Sequence, residues 1–178
     1  MGALDIINRK PTPAELEVRF LELLADERYS ELGPWELNEF GEIVVSPVSG
    51  SHGLSQVEFA SEIKRQIGGK AWVEQGIRRD DGPPIVPDIL WSSREFFEAH
   101  QASGLLPHAP RLCIEVMSAS NAIERMREKC QIYLILGAEE AWIVDPMSRV
   151  IEIYGPSGRI TASALGIDLD QLWRALDS

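Results

Sequence analysis

The sequence has few cysteines, and their scarcity excludes two common ways of stabilising a small fold. Only two occur among 178 residues. Cys113 lies in an apolar, strand-like run and Cys130 in a helix-like run, so we expect both to be small buried side chains. Such a pair indicates neither a disulfide framework nor a zinc site.

Long apolar runs are also missing. No stretch approaches the roughly 20 apolar residues that a membrane-spanning helix needs. The first residues include an acid, Asp5, and lack an apolar run followed by a small-residue cleavage site, so a secretory signal is not indicated. We therefore expect a cytoplasmic protein with no membrane partner, and the length fits one compact domain.

Positive charge is in short supply. The chain has 17 Lys and Arg against 28 Asp and Glu, a formal net charge of -11. Because nucleic-acid phosphates are bound by positive charge, this balance counts against a nucleic-acid partner. A bound divalent cation reverses the local charge of a carboxylate site, however, and a small basic patch such as residues 125–129 can serve one face of an acidic protein.

Helical and strand-like patterns alternate along the chain, as in a single α/β unit. Thr12, Pro13 and Glu15 have the form of a capped helix start. The remaining predictions are strands at 43–45, 71–73, 85–91 and 111–117, helices from Ser51 to 67, from Ser92 through 97 and from Asn121 to about 136, a hairpin at 141–154 and a closing helix at 169–176.

Two carboxylates interrupt apolar runs. Glu115 stands inside 111–117, where an acid is costly unless it is paired, hydrogen-bonded or bound to a metal. Asp88 interrupts 85–91 just after Pro87, a residue found at strand edges and bends. If the two strands are neighbours, both carboxylates face one cleft and suit Mg²⁺ or Mn²⁺. Lys129, on the next helix, can reach the same cleft and stabilise negative charge.

Several short motifs occur together in a fixed order. They are Pro87-Asp88, the run 115–120 that begins with Glu115, Lys129 with Tyr133 one helical turn later, and the run 142–146. This ordered set resembles the PD-(D/E)XK nuclease superfamily and, within it, the Uma-type group of restriction-endonuclease-like proteins called domain of unknown function 820. The resemblance runs from about Trp35 to Trp173.

The resemblance implies a fold and a division of the chain. The fold is α/β, with a restriction-endonuclease-like central mixed sheet flanked by helices. Residues 35–178 would form the nuclease-like domain and residues 1–34 an N-terminal helical extension, with one compact domain overall.

The resemblance also implies roles for individual residues. Asp88 and Glu115 would be metal ligands, with the backbone carbonyl of Val116 as a third, and Mg²⁺ or Mn²⁺ would be the cofactor. The superfamily's usual lysine lies two residues after the strand acid, where this chain has Met117. Lys129 would take over the role of that lysine. The predicted catalytic residues are therefore Asp88, Glu115 and Lys129.

Three accessory candidates each have a structural alternative. Glu42 either points into the cleft or caps a turn. His52 either contacts a phosphate or orients a carboxylate, or it caps its helix. Tyr133 packs against the sheet from the helix, with its hydroxyl expected near the mouth of the cleft.

Two functions remain open. The first is an endonuclease that hydrolyses DNA phosphodiesters with metal-activated water, for which a homodimer would suit the cutting of two strands. The second is a noncatalytic nuclease-fold module that binds a protein partner or nucleic acid, which the acidic charge and the missing strand lysine favour. A serine hydrolase is disfavoured, because no serine has the glycine pattern of a nucleophile elbow.

Overall fold

The structure is a computed structural model, and it describes residues 9–29, 32–45, 50–118 and 122–177. Its helices are α1 (Pro13–Ala25), α2 (Gly50–Ile67), α3 (Arg94–His100), α4 (Ile123–Ile135) and α5 (Leu169–Leu176), with a short 3-10 helix at Glu27–Tyr29. Its strands are β1 (Trp35–Leu37), β2 (Ile43–Val45), β3 (Lys70–Val73), β4 (Ile89–Ser92), β5 (Leu112–Val116), β6 (Glu140–Asp145), β7 (Val150–Gly155) and β8 (Gly158–Ile160). No helix within the described ranges has the length and apolar content to cross a membrane.

Six of the strands form one mixed sheet in the order β3-β4-β5-β6-β7-β8. The central pair β5 and β6 is parallel, and every other neighbouring pair is antiparallel. Parallel neighbours need a crossover connection, and α4 supplies it. Strands β1 and β2 form a separate antiparallel hairpin. The predicted α/β architecture, a central mixed sheet flanked by helices, is confirmed.

Helices cover both faces of the sheet, which explains why β5 is buried along its whole length. On one face, α2 and α5 pack on the strands through residues such as Phe59 and Leu172. On the other face, α4 packs through Cys130 and Tyr133. Side chains alternate along a strand, so Glu115 shares the α4 face with Cys113. Both cysteines are free and buried, as predicted.

Helix α1 packs on the β1–β2 hairpin. The predicted capping box at its start is present, since the Thr12 hydroxyl accepts from the Glu15 backbone while the Glu15 carboxylate accepts from the Thr12 backbone. Phe20 is buried, and its ring centroid lies 4.9 Å from that of Trp35. Apolar contacts therefore cross residue 34, and the division of the chain at that point stays a prediction.

Some strand and helix boundaries differ from those predicted. Strand β4 begins at Ile89 rather than at 85, because Pro87 has no backbone N–H for the ladder, and Ile85 forms an isolated bridge with Ile77. Strands β1 and β8 were not predicted, since three residues are too few to show a period of two and neither strand has the β-branched run that marks β2. The predicted cap residue Asn121 lies outside the described residues.

A buried carboxylate on β6 anchors the segment before α5. Glu140 is 1% exposed. It accepts hydrogen bonds from Trp142 Nε1 at 2.7 Å, Ser163 Oγ at 3.0 Å, and the backbone N–H groups of Ala164 at 2.5 Å and Leu165 at 3.1 Å. Because these donors saturate the carboxylate, its burial is compensated and the C-terminal segment is held on the sheet.

Replacing Glu140 should therefore destabilise the fold. We expect Glu140→Ala to lower the free energy of unfolding by about 3 kcal/mol, because the buried Trp142 indole N–H and three partly buried donors lose their acceptor. The control is Glu139→Ala, which removes only a surface ion pair with Arg111 and should cost less than about 1 kcal/mol. Urea unfolding at neutral pH measures both values, and equal losses would contradict the anchoring role.

Candidate active site

A cleft of about 460 Å³ opens between the β1–β2 hairpin and the ends of β4 and β5. Part of its lining is apolar and includes Phe20, Leu24, Trp35, Val44 and Val45. The lining also contains charged and polar side chains, namely Glu36, His52, Glu74, Asp88, Glu115 and Lys129. The cleft therefore collects ionisable groups from six separate parts of the chain.

Asp88, the residue before β4, has both carboxylate oxygens hydrogen-bonded. Its Oδ2 accepts the backbone N–H of Val116 at 2.6 Å, and its Oδ1 accepts Gln56 Nε2 at 3.1 Å. His52 Nε2 lies 3.4 Å from the same Oδ1. In an extended strand the C=O and N–H of one residue point to the same side, so the Val116 carbonyl faces the Asp88 side of β5.

Glu115 is a desolvated carboxylate, only 2% exposed. The Tyr133 hydroxyl donates a hydrogen bond to Oε1, and Lys129 Nζ lies 2.8 Å from Oε2. Burial raises the pKa of Glu115 to about 8 against the opposing charge of Lys129, and the nearby Asp88 carboxylate adds to the rise. Because both burial and a neighbouring carboxylate oppose the negative charge of Glu115, a cation would stabilise this site.

Lys129 reaches into the site from α4. Its Nζ is 2.8 Å from Glu115 Oε2, 2.8 Å from Glu36 Oε1 and 3.0 Å from the backbone carbonyl of Val86. Burial lowers the pKa of Lys129, but the charges of Glu115 and Glu36 outweigh it and hold the pKa above its usual range. The ammonium is therefore charged, and its three protons have three acceptors.

A second group of polar residues surrounds the other side of Asp88. The hydrogen bond to Asp88 raises the pKa of His52 above its ordinary value. Glu74 follows β3 with a left-handed φ of 56°, and its N–H donates to the Asp88 backbone carbonyl at 3.3 Å. Partial desolvation in the cleft and the Asp88 charge raise the pKa of Glu74. A non-glycine residue in this conformation is strained, and such strain is concentrated at functional sites.

The structure brings Asp88, Glu115, Lys129 and His52 into one cleft, but it places two other candidates differently. Tyr133 is fully buried behind Glu115 rather than at the cleft mouth. Glu42 is absent from the described lining of the cleft.

Glu42 lies at the hairpin turn instead. Its Oε2 accepts Asn38 Nδ2 at 2.7 Å, and its N–H donates to Asn38 Oδ1 at 3.0 Å. This is the turn-capping role that was predicted as the alternative to a place in the cleft. Because β1 ends at Leu37 and β2 begins at Ile43, residue 42 falls at the turn between them.

Two cleft residues, Glu36 and Glu74, and one residue that hydrogen-bonds Asp88, Gln56, were not found from the sequence. Gln56 had a usable signal, because it stands four residues after His52 and so shares a helix face with it. Glu36 and Glu74 had none, since each adjoins or lies in a strand of three or four residues whose partner is fixed only by the fold.

The donor set suits a hard divalent cation. Asp88 and Glu115 offer carboxylate oxygens, and Val116 offers a carbonyl oxygen. In the described part of the chain, no three His, Cys, Asp or Glu side chains converge closely enough to enclose an ion. Mg²⁺ needs no such cage, because it keeps several waters and is commonly held by one or two carboxylates. The residues therefore fit an open magnesium site better than a closed zinc site.

The fold and the cleft define the class of this protein, a restriction-endonuclease-like nuclease fold. It is similar to the crystal structure of a putative nuclease belonging to DUF820 from Anabaena variabilis, with a TM-score of 0.71 and 21% sequence identity over 93% of this chain and 99% of that chain. At this identity the similarity supports the fold alone.

The chain belongs to the Uma2 family, described as a putative restriction endonuclease, whose profile matches residues 21–172. The resemblance drawn from the ordered motifs is therefore confirmed. The match begins inside α1. A search of curated protein sequences gives no match.

The buried hydrogen bond behind Glu115 can be tested by Tyr133→Phe. We expect a loss of about 2 kcal/mol in the free energy of unfolding, because a desolvated carboxylate loses a donor. The matched control is Tyr154→Phe, whose partner Glu152 is closer to solvent and keeps Arg127, and it should cost less than about 1 kcal/mol. Urea unfolding measures the free energy of unfolding of both variants. An unchanged value in Tyr133→Phe would argue against this hydrogen bond.

Proposed function

We propose that this protein is a Mg²⁺-dependent endonuclease that hydrolyses DNA phosphodiester bonds. The observation that carries the proposal is the meeting of Asp88, Glu115 and the Lys129 ammonium in one cleft. Membership of a family described as a restriction endonuclease supports a nucleic-acid substrate. Mn²⁺ would substitute for Mg²⁺, because both prefer oxygen ligands.

In this proposal Asp88, Glu115 and the Val116 carbonyl hold the cation. Bound there, Mg²⁺ would polarise the scissile phosphate and lower the pKa of a water molecule. The Val116 N–H and Gln56 fix the Asp88 carboxylate, while Tyr133 and Lys129 fix that of Glu115. Such outer contacts orient ligands and raise the affinity of a site.

Lys129 supplies the positive charge that the strand does not. Met117, at the superfamily's usual lysine position, is partly buried among the apolar side chains under α4. The Lys129 ammonium arrives instead from the helix and lies 2.8 Å from Glu115. There it would stabilise the negative charge that develops on the phosphate during attack.

The acidity of the cleft makes substrate binding depend on the metal. Glu36, Glu74, Asp88 and Glu115 all line the cleft, against the two cations Arg125 and Lys129. A phosphate entering this field without a divalent cation would be repelled. The same dependence reconciles the net charge of -11 with a DNA substrate. We also propose a homodimer, which would present one cleft to each strand.

The metal site is tested by an Asp88→Ala/Glu115→Ala double variant. In calorimetry, wild type should bind Mn²⁺ and Mg²⁺ and the double variant should not, because both anionic ligands are gone. A plasmid-nicking assay on the same samples should show cleavage by wild type alone. The matched control is Asp80→Ala/Glu98→Ala, which removes two exposed acids away from the cleft.

The outcomes of this test separate the two functions. Binding and nicking in the control variant, with neither in the double variant, support the endonuclease. Metal binding without nicking of any plasmid or single-stranded substrate would contradict it and favour a noncatalytic module.

Lys129→Ala should separate catalysis from metal binding. We expect a fall of about 100- to 1000-fold in the cleavage rate, the typical effect of losing one group that stabilises transition-state charge. Metal affinity should persist, because the carboxylates remain. Lys64→Ala, on the solvent side of α2, is the control and should cleave like wild type. A Lys129→Ala enzyme with an unchanged rate would remove this residue from the mechanism.

A further inference from the structure

Glu36 connects the β1–β2 hairpin to α4, the helix that carries Lys129. It lies on β1, opposite Val44 of β2, and its side chain reaches α4. Its Oε1 is 2.8 Å from Lys129 Nζ, and its Oε2 is 3.5 Å from an Arg125 side-chain nitrogen. One carboxylate therefore lies between two cations that are one helical turn apart.

A lysine that acts from a helix needs such a contact. Its ammonium is a point charge on a flexible four-carbon stem, and a long side chain has a large rotamer entropy. Lys129 must cross from α4 to the sheet to reach Glu115. Its other acceptors are Glu115, which in the proposed function also holds a cation, and the Val86 carbonyl. Glu36 is the remaining anionic acceptor that is not a proposed metal ligand.

The other acids of the hairpin face elsewhere. Glu39 lies 4.0 Å from Lys10, and Glu42 accepts from Asn38 in the turn. Because side chains alternate along β1, residue 36 points to the opposite side from Trp35 and Leu37, and this register directs its carboxylate to α4. The contact thus depends on where the hairpin docks.

We propose that Glu36 is a positioning residue that holds the Lys129 ammonium at the carboxylate of Glu115. Glu36 would then serve the reaction through another residue, by fixing a lysine that the strand does not carry. The catalytic part of this inference rests on the proposed nuclease function, whereas the positioning part does not.

The positioning part is tested by chemical labelling of lysines at one fixed pH. Wild type, Glu36→Gln and Glu36→Ala are treated with a water-soluble acetylating reagent, and mass spectrometry measures modification at Lys129 relative to Lys64 and Lys70. Glu39→Gln is the matched control, since it removes the same charge from the same hairpin. Thermal unfolding of each variant establishes that it is folded.

Release of Lys129 should increase its labelling about 10-fold in Glu36→Gln, the factor that corresponds to the loss of one charge-assisted contact of about 1.4 kcal/mol. Glu39→Gln should match wild type. Glu36→Gln keeps the size of the side chain, so a folded variant is expected, and Glu36→Ala repeats the test without an amide that could replace the contact. Unchanged labelling of Lys129 in both Glu36 variants would overturn the inference, whether or not the protein cuts DNA.

Kinetics test the catalytic part. In an active protein, Glu36→Gln should lower kcat by about 10- to 100-fold, the typical effect of removing an outer-shell partner. KM and the calorimetric Mn²⁺ affinity should change little, a split that general loosening of the fold would not give. Increased labelling with an unchanged kcat would overturn the catalytic part. If wild type does not cleave, the proposed function fails alone, and labelling still decides the contact.

Discussion

The burial of the Glu115 carboxylate is the constraint on which the rest of the site depends. An acid in the middle of a sheet that is covered on both faces loses its hydrogen bonds to water. Other groups of the protein must supply hydrogen bonds or opposite charge in their place. Helix α4 does so with the Tyr133 hydroxyl and the Lys129 ammonium. The crossover that connects the parallel strands β5 and β6 is thus also the element that compensates their buried charge.

The groups that compensate the Glu115 charge need partners of their own. Lys129 is itself buried, and Glu36 and the Val86 carbonyl satisfy the protons that Glu115 does not accept. Asp88, on the neighbouring strand end, is fixed by the β5 backbone and by Gln56 of α2. Buried polar groups that are all partnered are rigid, whereas a partly satisfied network is costly. The cleft is therefore preorganised by contacts from elements distant in sequence.

The sequence could predict the residues whose chemistry conflicts with their surroundings. Glu115 and Asp88 stand out because they interrupt apolar runs, and the α/β pattern follows from periodicities that are long enough to recognise. Lys129 could be proposed from its place on the helix that follows the Glu115 strand, and the ordered motifs supported that role. Glu36 could not be predicted, because its role depends on the register of a three-residue strand and on a contact 93 residues away. The place of Glu74 in the cleft could not be predicted either, because it depends on a left-handed backbone conformation for which a glutamate gives no sequence signal.

The most direct measurement is an anomalous diffraction experiment on crystals of the wild-type protein grown or soaked with Mn²⁺. We expect a strong anomalous peak between the carboxylates of Asp88 and Glu115, with the Lys129 ammonium still on Glu36. A structure that contains Mn²⁺ elsewhere, or none at this place while Asp88 and Glu115 keep only their protein partners, would contradict the proposal that these two carboxylates form a metal site.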